Sequence, residues 1–129
     1  MILKSFELPK IKLNNYKFYL FYGDNEGLKE ENIKNLFEKK YQDKIHRYEE
    51  KEILDNINIF LNSILTKSFF DNEKLIIINR TTDKIKTIIE ELMEKNPEDI
   101  QIILNSKNLE KKSSLRKLFE KEKSIVCIP

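Results

Sequence analysis

Phosphate chemistry is the first possibility the residues raise, in the turn Gly23-Asp24-Asn25-Glu26-Gly27-Leu28-Lys29-Glu30, which follows an apolar run and opens a helical pattern. That is the setting of a P-loop, where glycines let backbone amides ring the phosphates, a lysine neutralises them and a neighbouring hydroxyl holds magnesium. Counted from Gly23, Leu28 stands where the second glycine belongs, Lys29 is kept and Glu30 replaces the hydroxyl. Gly27 falls one position early, and Asp24, Glu26 and Glu30 crowd negative charge where a triphosphate would lie. A nucleotide hydrolase also needs acids at the end of a nearby strand to hold the metal and orient water. Here Leu75-Ile76-Ile77-Ile78 is followed by Asn79 and Arg80, neither of which can serve. Asn79 also argues against a phosphoacceptor receiver domain, whose chemistry requires a carboxylate there. The two defects agree on a phosphate-binding fold that has lost its catalytic groups.

Other chemistries find less support. His46 is the only histidine and reads as an edge or surface residue, while Cys127, the only cysteine, lies in an apolar strand where an inert thiol is the default. Ser113-Ser114 reads as helix capping. There is no Ser/His/Asp or Cys/His set and no metal-ligand cluster, so neither catalysis nor a cofactor is expected. The segment Ile64-Leu65-Thr66-Lys67-Ser68-Phe69-Phe70-Asp71-Asn72 differs in kind. Adjacent residues near a helix end cannot both follow one narrow stripe. The two phenylalanines therefore read either as core tucked under the helix end or as an exposed anchor for a partner's pocket.

The elements that must position these groups follow from the apolar pattern. Phe18–Tyr22, Leu75–Ile78, Ile100–Leu104 and Ile125–Ile128 are continuous, β-branched or aromatic runs, the form of strands buried on both faces of a parallel sheet. Residues 44–48 read as an edge strand, and residues 2–6 as a further short one. Helical spacing is clearest at Ile85, Ile88, Ile89, Leu92 and Met93, capped by Thr81 or Thr82 and stopped by Asn96-Pro97. Further helices are expected at about 26–40, with Leu28, Ile33, Leu36 and Phe37 inward, at 50–67, and at 111–122 with Leu115, Leu118 and Phe119 inward. The alternation selects an α/β fold: a three-layer, open, mainly parallel five-stranded sheet with helices on both faces.

Composition bounds the rest. A chain of 129 residues, 40% hydrophobic and 36% charged, with eight Phe and five Tyr, is expected to form one domain over 1–129 with a real core. Lysine and arginine number 24 against 22 acids, leaving a net charge of +2 that makes no electrostatic case for nucleic acid. A single cysteine fits a reducing compartment, and no run has the roughly 18 apolar residues of a membrane span. The protein reads as cytoplasmic, with no membrane partner. There are only two glycines, both in the turn at 23–27, so a nucleotide site has nowhere else to be.

Taken together, Phe18-Tyr19-Leu20-Phe21-Tyr22-Gly23-Asp24-Asn25-Glu26-Gly27, then Ser68-Phe69-Phe70-Asp71-Asn72-Glu73-Lys74-Leu75-Ile76-Ile77-Ile78, then Lys112-Ser113-Ser114-Leu115-Arg116-Lys117-Leu118-Phe119 resemble a known family. It is the delta subunit of the bacterial DNA polymerase III clamp loader, in its N-terminal domain. The resemblance implies an AAA+-like domain with a degenerate P-loop at Gly23, Gly27, Lys29 and Glu30 that does not bind nucleotide. It implies a clamp-binding plug at Phe69 and Phe70, supported by Leu65 and Ile64, that docks on the sliding clamp (beta subunit) and helps to open it. A Leu-Phe pair is common in the family at that place, so Phe69 departs in shape but not in character. The resemblance further implies contacts with other loader subunits through lid and collar domains absent from these 129 residues, and only indirect or weak contact with DNA. Two alternatives stay open, a nucleotide-binding switch of P-loop type and a generic α/β interaction domain whose phenylalanines are core.

Overall fold

The computed structural model describes residues 2–4, 16–65, 73–121 and 125–128; Phe69 and Phe70 lie outside them. Among the described residues six strands form one sheet: β1 (Ile2–Lys4), β2 (Phe18–Tyr22), β3 (Ile45–Glu49), β4 (Lys74–Thr81), β5 (Ile100–Ser106) and β6 (Ile125–Ile128). Their order is β1-β6-β2-β5-β4-β3, and each adjacent pair is parallel. The expected five strands are thus corrected to six. The short N-terminal run pairs Ile2 with Val126 and extends the sheet beyond β6.

The continuous apolar runs are explained by burial on both faces. Phe18, Leu20 and Tyr22 of β2, with Ile76, Ile78, Ile102 and Leu104, face one core; Tyr19 and Phe21, with Leu75, Ile77 and Ile103, face the other. Helix α1 (Glu26–Ile33), a π-helical turn (Lys34–Glu38) and α2 (Lys39–Tyr41) cover the second core through Ile33, Phe37 and Tyr41. Helices α3 (Glu50–Asp55), α4 (Ile57–Leu65), α5 (Lys86–Lys95) and α6 (Ser114–Lys121) cover the first. A single crossover hand demands this division. The chain moves from β2 outward to β3 with α1 on one face, then returns through β4 and β5 to β6 with its helices on the other.

Local chemistry accounts for the departures from the sequence-based boundaries. The apolar pattern predicts one helix over 50–67, but the chain breaks at Asn56, whose backbone leaves the helical region at φ −145° and whose N–H turns back to the Ile53 carbonyl. Asparagine competes with helix through its own side chain, which makes it a natural break point. Thr82 rather than Thr81 caps the turn Asp83–Ile85 that leads into α5, because Thr81 is the last residue of β4. Asn96 closes α5 in the left-handed conformation, with its N–H on the Leu92 carbonyl. On α1 the expected inward Leu28 is only half-buried, and its neighbour Lys29 is buried in full. Among the described residues no helix is long and apolar enough to cross a membrane.

Candidate functional site at the carboxyl edge of the sheet

Parallel sheets of this kind hold ligands at the carboxyl ends of their strands, beside the strand where the order of connection reverses. That strand is β2, and the glycine turn follows it directly. Gly23 has φ 133°, a conformation that L side chains rarely adopt, so the turn needs glycine there. Gly27 has no such need: a Cβ would meet only Asn25 Oδ1, at 3.8 Å. Asn25 starts α1, its Oδ1 accepting from the Leu28 N–H at 3.0 Å.

The turn then departs from a phosphate cradle. Lys29 has 0% exposure, and its Nζ donates to Glu26 Oε1 at 2.7 Å and to the Ser106 carbonyl at 2.6 Å. Ser106 is the last residue of β5, directly opposite Tyr22, so the lysine ties the start of α1 to the end of the adjacent strand. Its Oγ is hydrogen-bonded to the Thr81 hydroxyl of β4, which extends the buried polar seam across a third strand. The ammonium is satisfied within the protein.

Around this knot the carboxyl edge forms two neighbouring clefts. One, of about 590 Å³, is lined by Glu26, Glu30, Glu49, Arg80, Asn105 and Lys107. The other, of about 480 Å³, shares Glu30, Asn79 and Asn105 and adds Gly27 and Lys34. Asn105 Nδ2 of β5 donates to Asn79 Oδ1 at 3.2 Å, so the carboxamide at the end of β4, where a hydrolase would place an acid, is held by the neighbouring strand. Arg80 adopts φ 56° where β4 slips register against β5, and its side chain projects into solvent, 3.8 Å from the Glu49 carboxylate. Among the described residues no three His, Cys, Asp or Glu side chains could hold a metal ion. His46 lies on the edge strand β3, exposed.

Two acids that sequence reasoning missed brace this edge. Glu50 is buried and accepts from both the backbone N–H and the hydroxyl of Thr82, the latter at 2.7 Å. Asp83 accepts from the Ser113 hydroxyl at 2.5 Å and the Leu115 N–H at 3.0 Å, joining the start of α6 to the end of β4. The Ser113 hydrogen bond is the main cause of a lowered Asp83 pKa; burial opposes it, and backbone donors at Leu115 and Ser114 add to it. Ser113 is legible as a cap. Its acidic partner, 30 residues earlier, is not.

The expected site residues therefore divide between opposite edges. Gly23, Gly27, Lys29 and Glu30 come together at the carboxyl edge. Ile64 and Leu65 end α4 at the amino edge, where the chain next enters β4 at Lys74. Ile64 is buried in the core beneath α4, and Leu65 is partly buried against it. Beside them, Asn96, Pro97 and Glu98 complete a cleft of about 410 Å³. On the outer side of α4, Ile59 is 69% exposed and Ile57 39%, and residues 56–66 carry no charge in a chain that is 36% charged.

Comparison with curated proteins gives no match. The family model described as "DNA polymerase III, delta subunit" matches residues 19–128, from the second residue of β2 to the end of β6. That span takes in the glycine turn, the Lys29–Ser106–Thr81 seam beside it and the end of α4 at the opposite edge, and the chain belongs to the DNA polymerase III delta subunit family.

Proposed function

We propose that this domain is the clamp-binding part of a clamp-loader subunit in DNA replication, acting without an ATPase of its own. The observation that carries the reading is the family match over residues 19–128. In this reading Phe69 and Phe70 are a hydrophobic plug for the sliding clamp, and Ile64 and Leu65 anchor the segment that presents it. The remaining loader subunits are engaged through lid and collar regions outside residues 1–129. Two features of α4 suit it to present a plug, since its outer side is free of charge and the core fixes its last turn.

The work is mechanical. Two phenylalanine side chains burying apolar surface at about 25 cal/mol per Å² supply several kcal/mol. That energy favours an open clamp only by the amount the plug binds the open state better than the closed one. Against a nucleotide switch stand Lys29, already satisfied by Glu26 and Ser106, and Asn79, held by Asn105, in place of an acid. Immobilised protein is expected to retain the cognate sliding clamp, and the Phe69→Ala/Phe70→Ala variant to lose it while keeping its helical circular dichroism. Equal retention by both would contradict the reading. Millimolar Mg-ATP is expected to leave the melting temperature unchanged, and a clear rise would favour the switch.

A further inference from the structure

The ends of β3, β4 and β5 bring three polar side chains into one row. Glu49 is the register partner of Asn79, and Asn79 of Asn105. The two asparagines lie two residues beyond Ile77 and Ile103 of the second core, so the row continues the face of the sheet that α1 covers. All three line the cleft of about 590 Å³, together with Glu26 and Glu30 of α1. The row is short of donors. Asn105 is 5% exposed; its Nδ2 is given to Asn79, and its Oδ1 accepts from no group among the described residues. Glu49 Oε2 is also buried without a donor. Arg80 does not fill the gap, since its Nη1 stops 3.8 Å from the other Glu49 oxygen and its side chain is 80% exposed. Buried acceptors without donors are costly and call for an explanation.

We infer that this cleft receives a guanidinium group, the side chain of an arginine presented by a partner protein. Glu26, Glu30 and Glu49 in the lining disfavour an anion. A metal ion is disfavoured because, among the described residues, no three His, Cys, Asp or Glu side chains could hold one. A guanidinium carries its charge on a planar fork of donors that serves a carboxylate and a carboxamide together, whereas an ammonium is a compact point charge. A lone guanidinium binds weakly at an open cleft, so its residence depends on further contacts from the chain that bears it. The cleft lies at the edge opposite the end of α4, so the inference goes beyond the clamp reading and does not rest on it.

The test is a titration of the 129-residue protein with N-acetyl-arginine methylamide, followed in proton-nitrogen correlation spectra at low ionic strength, where exposed charges are least screened. Saturable shifts are expected at the Asn105 carboxamide and at the backbone amides around Glu49 and Asn79. The citrulline analogue, nearly the same shape without the charge, is expected to produce none. Asn105→Leu removes the unmet oxygen and is expected to weaken binding about fivefold or more. Should that variant fail to fold, Glu30→Gln, a change at an exposed position, is judged by the same criterion. Absence of saturable shifts, equal shifts with citrulline, or wild-type affinity in the variants overturns the inference. Displacement of the arginine probe by millimolar magnesium also overturns it, by identifying a metal site. No clamp enters the titration, so its failure leaves the proposed function standing, and failure of clamp binding leaves this inference standing.

Discussion

At the scale of single residues, Lys29 decides what the carboxyl edge can do. A buried ammonium is tolerated because two acceptors meet it, and one of them comes from a residue 77 positions away. Lys29→Ala removes the aliphatic stem and leaves the Ser106 carbonyl unpaired, and is expected to cost about 2–3 kcal/mol in urea unfolding. Lys29→Met, which keeps the stem, should cost less; equal losses would show that the ammonium and not the packing carries the stabilisation. Asp83 supplies a pH test. Its folded pKa lies below the ordinary value of 3.8, chiefly through Ser113, so its contribution is full above 3.8 and is lost as pH falls through the lower folded value. Asp83→Asn should flatten that acid limb in pH-dependent melts, and an unchanged limb would mean that the Ser113 contact does not stabilise the fold. Neither residue is fully legible in the sequence. The motif count marks Lys29 as a phosphate ligand in a damaged loop, but its burial depends on the end of β5, which no local spacing encodes.

At the scale of elements, the strands are the most readable part. A run such as Leu75–Ile78 has no polar side for solvent, so it must lie between two apolar layers, and it does. Helix α5 is equally plain, since Ile85, Ile88, Ile89 and Leu92 repeat at helical spacing and all are buried. Two apolar stripes, Ile53-Ile57-Phe60-Ile64 and Leu54-Leu61-Leu65, hide the break at Asn56, because both continue across it and only the backbone changes. Splitting there gives α4 its own orientation, with Phe60, Leu61 and Ile64 in the core and Ile59 outside. Ile64→Ala is therefore expected to cost about 2–4 kcal/mol of stability, whereas Ile59→Ser should cost less than about 0.5 kcal/mol. Denaturant midpoints check both. A neutral Ile64→Ala would mean that this end of α4 is not fixed by the core, and the support assigned to Ile64 would fall with it.

At the scale of the whole molecule, the sheet separates two edges with different fates. At the carboxyl edge Lys29 is turned toward Glu26 and Asn79 toward Asn105. The amino edge carries the end of α4, and the chain passes from there through Phe69 and Phe70 into β4. The fold class and the defects of the turn can be read from apolar runs and residue counting. The short N-terminal strand can be read from its residues, but its place in the sheet cannot, because it is set by pairing with β6, 124 positions along the chain. The plug proposed at Phe69 and Phe70 is suggested only through a resemblance, since adjacent phenylalanines alone fit a core as well as an interface. The most direct measurement is a calorimetric titration of the cognate sliding clamp into this protein and into Phe69→Ala/Phe70→Ala. The account predicts saturable binding by wild type and an affinity about 100-fold lower or worse for the variant, at an unchanged melting temperature. Equal affinities for the two proteins would contradict it.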